Sequence, residues 1–248
     1  MPKLEKPREK AGDRVRRQIL DHAEALFAER GFFGSSVRDL TTRAGVRLAA
    51  INYHFGTKEE LFRSVLMRRA EELGAERLER LAQVPKRGPA AARTRAIVSA
   101  FIAPVLARAM TRDLGWRNYF TLIAQTGSSR LFALELVADA FNRVALAFVV
   151  SFGEVFPRAS RRTLHHAYQL MLAATLYTFA DNRRLDSLTS GRIRSDDFAA
   201  QSEDLIEMLS TGLFALCAKP ASTRPAPRAS PQSCPKGPAR KGSRRRPT

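Results

Sequence analysis

Residues 19–62 read ILDHAEALFAERGFFGSSVRDLTTRAGVRLAAINYHFGTKEELF, and the punctuation of this stretch decides the fold. Ile19, Ala23, Leu26 and Phe27 recur at the spacing of one helical face, and Gly31 stands where helices commonly close. Phe32 and Phe33 add apolar weight to the connection that follows. Ser36 is a helix cap, with Asp39 in the first turn beyond it. Val37, Leu40 and Ala44 form the buried stripe of a short helix that Gly45 ends. A second short helix carries Leu48, Ile51 and Phe55 on its inner face and stops at Gly56. Thr57 and Glu60 then make a capping box, and Leu61, Phe62, Val65 and Leu66 open a long helix reaching about Ala82. Two short helices separated by a glycine and braced by a preceding helix form a helix-turn-helix.

Such a unit reads DNA by laying its second helix in the major groove, polar side outward and apolar side fixed to a small core. With Leu48, Ile51 and Phe55 assigned to that core, Arg47, Ala49, Ala50, Asn52, Tyr53 and His54 face outward or flank the stripe. Ala49 and Ala50 are small enough to let the backbone approach base edges. Arg47 and Asn52 carry the groups that read guanine and adenine. Tyr53 and His54 suit phosphate. Lys58 lies on the first turn of the next helix, where free backbone N–H groups already attract anions. Ser36, Arg38 and Thr42 of the preceding helix complete the candidate DNA-contacting set.

Working outward, residues 1–12 read as a flexible basic arm, 13–60 as the DNA-binding unit, and 61–218 as a further helical body. Residues 83–89, with two prolines and a glycine, form a linker. Helices are expected over Ala91–Met110, with a kink at Pro104, and over Trp116–Gln125, Arg130–Phe156 and Arg161–Asp181. The last runs over Asp196–Ala218 behind a Ser195 cap. No alternating strand pattern stands out, so the fold class is all-α. Phe101, Trp116, Tyr119, Phe132, Phe141 and Tyr168 are candidates for lining a ligand cavity, although aromatics on amphipathic helices are more often plain core. Arg143, a charge in an apolar helix, is a candidate anchor for an acidic ligand. His165 and His166 are neighbours in sequence and so point apart, which makes no metal pair.

Composition sets the outer bounds. The 248 residues are 44% hydrophobic, enough for one or two cores, and carry a net charge of +18. That excess favours polyanionic partners. Half of it lies in residues 219–248, where nine Lys or Arg, seven prolines and no acid form a basic tail expected to be disordered. The longest apolar run, Val144–Phe152, is far short of the ~20 residues of a membrane helix. No signal peptide is read at the N-terminus, and two isolated cysteines, Cys217 and Cys234, suit a reducing cytoplasm without a disulfide framework or zinc site. There is no Gly-x-Ser-x-Gly elbow, phosphate-binding glycine loop or metal-spaced cluster, so neither catalysis nor a cofactor is expected. A non-specific architectural DNA-binding protein would explain the charge but not the reading helix or the large apolar body.

The residues from Ile19 to Phe62 resemble the tetracycline-repressor family across the whole DNA-binding unit. The resemblance implies that Ser36–Phe55 is the helix-turn-helix and that Tyr53, His54 and Lys58 meet the DNA backbone. Arg47 departs from the family pattern, in which a small polar cap is more usual. By the same resemblance the chain is a homodimer through Arg161–Asp181 and Asp196–Ala218, bound to a palindromic operator. A small hydrophobic effector among the middle helices would release it, with the Thr57–Ala82 helix as lever. LAAINYHFG, FIAPVL near Pro104 and the closing RLDSLTSG…SDDFAAQSEDLIEMLSTGL look most like fatty-acid-responsive members.

Overall fold

In a computed structural model, which describes residues 10–111, 113–127 and 138–219, the regular elements are α-helices and the described residues contain no strand. They are α1 (Ala11–Arg30), α2 (Val37–Ala44), α3 (Leu48–Phe55), α4 (Lys58–Ala82), α5 (Ala90–Ala109), α6 (Leu114–Gly127), α7 (Ala138–Val155), α8 (Arg161–Phe179), α9 (Arg184–Leu188) and α10 (Phe198–Cys217). The fold is all-α. The N-terminal arm is shorter than expected, because α1 already includes Ala11 and Gly12. The expected tail beyond Lys219, the first part of the helix predicted from Arg130, and Phe132 lie outside the described residues.

Local chemistry accounts for the boundaries near the N-terminus. Ser36 and Asp39 exchange hydrogen bonds as a capping box, as do Thr57 and Glu60. Gly45 closes α2 in the left-handed conformation (φ 62°, ψ 31°), which a side chain would strain. Near the C-terminus the expectation needs correction. Asp197, not Ser195, caps α10, accepting from the Ala200 amide at 3.3 Å. Ser195 is buried and serves α9 instead: its hydroxyl accepts from the Leu185 amide and its own amide donates to Asp186. Hydrogen bonding from Ser195, by its side chain and its amide, holds the Asp186 carboxyl below the usual carboxylate range. The α9 turn, with Arg183 and Ser190 at positive φ beside it, was not expected from periodicity.

Helix α4 is the spine. It packs on α1, α3, α5, α6 and α7, while α10 lies along α5 and α8. Phe27, Phe32 and Phe62 meet edge to face beneath the helix-turn-helix. By length and composition α5 is apolar enough to cross a membrane, and it continues through Pro104 to Ala109. Here its Ile97, Val98, Phe101, Ile102 and Val105 are buried against α4, α7, α8 and α10.

The joint between α1 and α4 is polar. The Glu24 carboxylate, 2% exposed, accepts from Arg68 at 2.7 Å and from Arg69 at 2.9 and 3.2 Å. Arg68 also donates to Asp21 at 2.6 Å, and the Arg69 guanidinium lies 4.9 Å from the Trp116 ring centre. Gly115 leaves the room this requires: a Cβ there would fall 1.7 Å from Arg69 Nη2 and 2.7 Å from Glu24 Oε1. Removing one partner of a buried pair leaves the other charge unmatched, at a cost of about 3–5 kcal/mol. Glu24→Ala should therefore lower the urea midpoint strongly, and Gly115→Ala should do so to a lesser degree. An unchanged midpoint in both would show that the clamp contributes nothing to stability.

Candidate DNA-reading face and effector cavity

Helix α3 rests on α2 and α4, with Ile51 and Phe55 buried and the Arg16 guanidinium over the Phe55 ring at 5.2 Å. Arg47, Ala49, Asn52 and Tyr53 are exposed, Tyr53 to 86%. Ala50 and His54 are half-buried at the edges of that face. Arg47 occupies the N-cap position and makes no side-chain cap, so its guanidinium is not committed to its own helix. Leu48 corrects the expectation that it belongs to the core: it is 54% exposed. Packing of an eight-residue helix on two neighbours reaches Ile51 and Phe55 but leaves the first turn uncovered. An outward Leu48 offers an apolar surface of the kind that meets a thymine methyl.

The candidates on α2 are differently placed. Arg38 and Thr42 are exposed, with the Thr42 hydroxyl donating to the Arg38 carbonyl at 3.0 Å. Ser36 is exposed but its hydroxyl is committed to Asp39: it accepts from the Asp39 amide at 3.1 Å and donates to Oδ2 at 2.6 Å. These bonds keep the Asp39 carboxyl below the usual range. Lys58 is half-buried and turned back on the protein. Its ammonium donates to the Phe32 and Ser35 carbonyls and sits 4.2 Å from the Phe32 ring centre. Burial shifts its pKa downward. Lys58 thus ties the α1–α2 connection to the start of α4, leaving one N–H for a phosphate.

A second feature lies deeper. A cavity of about 260 Å³ opens between α4, α6, α7 and α8. Of the aromatic candidates, Tyr119, Phe141 and Tyr168 line it. Phe101 does not: it is wholly buried behind the wall, edge to face with Phe148 and Tyr168. Trp116 does not either, since its ring is held by Arg69 and packs on Tyr119 at 5.7 Å. Arg143 is exposed and absent from the lining, so it is no anchor there. Among the described lining residues the charge is Arg77 of α4, which the sequence reading missed. The signal was present: Leu73, Arg77 and Leu81 lie four residues apart, on the inner stripe of an otherwise charged helix. Burial raises the Tyr119 and Tyr168 phenol pKa values, with Arg77 partly opposing the shift, so both stay protonated at neutral pH. Among the described residues no group of three or more His, Cys, Asp or Glu is placed to hold a metal.

Comparisons with known proteins agree with this geometry. Residues 19–65 match the model for bacterial regulatory proteins of the tetR family, and residues 99–212 match a tetracycline-repressor-like C-terminal domain. The Corynebacterium glutamicum repressor AcnR is 46% identical over 55 residues, 21% of this chain and 29% of its own. The Shigella flexneri dual regulator CecR is 34% identical over 88 residues, 33% of this chain and 39% of its own. The Mycobacterium tuberculosis repressor KstR2 is 39% identical over 51 residues, 21% and 26% of the two chains. The chain thus spans well under half the length of these curated relatives. Among solved structures, Salmonella enterica GusR superposes with a TM-score of 0.56 at 19% identity, covering 87% of this chain and 99% of that one. Bacillus subtilis FadR, solved with stearoyl-CoA, gives 0.51 at 17% identity, covering 79% and 98%. With both halves of the architecture matched, by family models and by fold, the chain belongs to the tetracycline-repressor family of transcriptional regulators.

Proposed function

We propose that this protein is a dimeric, sequence-specific repressor that leaves its operator when a small apolar effector fills the cavity on α4. The observation that carries the reading is the division of α3: Ile51 and Phe55 are buried, while Arg47, Leu48, Ala49, Asn52 and Tyr53 are presented together. Residues 13–60 form the reading unit and 61–218 the effector and dimer body. Ser36, Arg38, Thr42, Ala50, His54 and Lys58 flank the face, with Arg38 and His54 suited to phosphate. The protein works in the cytoplasm, where the chromosome lies.

Dimerisation is supported by apolar side chains left exposed on two adjacent helices. Leu170 and Tyr177, seven residues apart on α8, are 52% and 64% exposed, and Met208 on α10 is 58% exposed. A two-fold pairing of α8 and α10 would cover them. It would also set two copies of α3 at the ~34–36 Å spacing of successive major grooves, or a multiple of it. An effector that prefers a form with the wrong spacing shifts the balance by its difference in affinity between the two forms. The fatty-acid-responsive reading draws support from the likeness of fold to FadR, whose structure holds stearoyl-CoA. The cavity here is below the ~300–1,000 Å³ usual for ligand sites, which favours a smaller effector.

Three measurements test these assignments. At about 0.15 M salt, DNA from upstream of the protein's own gene should bind at least about a thousandfold tighter than scrambled DNA. Asn52→Ala should cut the difference at least about tenfold at unchanged melting temperature, whereas Tyr53→Ala and deletion of residues 219–248 should weaken both DNAs alike. Equal binding of both DNAs by the full chain and by the truncated one would refute sequence reading at that site. Arg47→Ser supplies the missing cap, so it should stabilise the fold by about 1 kcal/mol while weakening operator binding at least tenfold. Unchanged operator affinity would remove Arg47 from the reading face. The double variant Leu170→Glu, Tyr177→Glu should sediment as a folded monomer; a persistent dimer would place the interface elsewhere.

A further inference from the structure

Arg77 differs from Arg68, Arg69 and Arg108, which are part-buried and paired with carboxylates. Arg68 meets Asp21 and Glu24, Arg69 meets Glu24, and Arg108 meets Glu72 and Glu76. Arg77 meets no carboxylate among the described residues. Its Nε donates to the Phe101 carbonyl at 3.0 Å, and its guanidinium lies 3.7 Å from the centre of the Phe101 ring. A carbonyl and a ring face offset part of a cation's desolvation but do not neutralise it. Among the described residues that line the cavity, Arg77 is the one that carries a charge.

The cost of that arrangement is visible in its pKa, which burial brings down to about 10. That still leaves the guanidinium cationic at neutral pH. Its remaining N–H groups, on Nη1 and Nη2, form the planar fork that matches a carboxylate in two parallel hydrogen bonds. The phenols of Tyr119 and Tyr168 line the same cavity and interact electrostatically with Arg77, and both are protonated and able to donate to an oxyanion. The rest of the described lining is largely apolar, with Ile123, Phe141, Leu172 and Leu176, beside the uncharged polar side chains of Thr126, Asn142, Gln169 and Thr175.

We propose that the cavity takes a compact monocarboxylic acid, its carboxylate held by Arg77 with Tyr119 and Tyr168 and its apolar body against α6, α7 and α8. This rests on the reading of the cavity as the effector site and narrows it from any apolar molecule to a free acid with one negative charge. A thioester head is neutral and leaves Arg77 unmatched; a dianion brings a second charge for which the described lining has no partner. The carboxylate would bind directly on α4, the helix that also holds the helix-turn-helix.

The test uses the full-length protein and 4-phenylbutyrate as probe, beside the uncharged 4-phenylbutanamide and 4-phenyl-1-butanol and the phosphonate 3-phenylpropylphosphonate. Binding is read from the fluorescence of Trp116, the chain's single tryptophan, which packs on the cavity residue Tyr119. Phenylbutyrate should bind at least tenfold tighter than either neutral analogue and tighter than the phosphonate. Arg77→Met keeps the stem and loses the charge, and it should erase the preference while still binding the neutral analogues. Arg77→Lys should retain part of it. Equal affinities for acid and amide in the wild type would overturn the proposal without needing any variant, as would a phosphonate preference or an acid preference that survives Arg77→Met. No response to any of the four would overturn it too. Operator release is followed in parallel to keep the two readings apart. Release by the neutral analogues as readily as by the acid leaves the effector site standing and removes only the carboxylate. Acid binding that follows the Arg77 pattern but never releases operator keeps the proposal and overturns the effector mechanism.

Discussion

The interaction on which the rest of the structure depends is the grip of Arg68 and Arg69 on the buried Glu24 carboxylate. Glu24 belongs to α1 and the two arginines to α4, so this grip fixes the brace of the helix-turn-helix to the spine of the larger body. A hydrophobic contact in its place would hold the helices together but tolerate sliding. Three charge-assisted hydrogen bonds on one carboxylate do not, because each depends on angle as well as distance. Phe27 and Phe62 pack on the same joint. The brace of the helix-turn-helix is therefore fixed to the first part of α4. Arg69 extends the joint further through its contact with Trp116, whose ring meets Tyr119 on the cavity wall.

The candidate DNA-reading face is built to a different standard. Its second helix is short, lacks a side-chain cap at Arg47, exposes Leu48 and Tyr53, and is held by Ile51 and Phe55. A missing cap costs about 1 kcal/mol, and a helix of eight residues is not stable alone. The surroundings offset this. Gln18 donates to the Ala44 carbonyl at 2.8 Å at the end of α2, and Lys58 binds two carbonyls of the preceding connection. Lys58 shows how one residue can serve twice: the same clasp that orders the turn places its ammonium near the N-terminus of α4, where an anion is favoured.

Much of this was legible in the sequence where the signal is local. The capping boxes at Ser36 and Thr57 and the breaks at Gly45 and Gly56 each depend on a few neighbouring residues. The helix-turn-helix could therefore be placed to within a residue or two. Leu48 was misplaced because periodicity gives the direction of a side chain, not whether a neighbour covers it. Ser195 was misread as a cap because its partners, Leu185 and Asp186, are brought back by a turn too short to show a period. The cavity wall was the least legible. Phe101, Trp116 and Arg143 have the composition expected of a ligand site, but only tertiary packing decides which side of a wall a ring occupies. Arg77 sat in a run of charges that reads as a solvated face unless the stripe through Leu73 and Leu81 is followed past it.

Placing Arg69 and Arg77 on one helix has a mechanical consequence. Eight residues at 1.5 Å each separate them by about 12 Å, with no break in α4 between. At one end an arginine is saturated by Glu24; at the other an arginine is held by a carbonyl and a ring alone. A charge entering the cavity has its largest effect at the unsaturated end. On the proposed effector mechanism, the saturated end would pass a resulting tilt of α4 on to α1. Had both arginines been paired with carboxylates, an anion would have had to displace one of them first. Had both lacked partners, the helix-turn-helix would be loosely fixed and a shift in α4 would not reach it. The asymmetry between the two arginines thus suits a helix that is to be moved from one end and felt at the other. Each 1.4 kcal/mol of differential binding there corresponds to a tenfold change in the balance between forms.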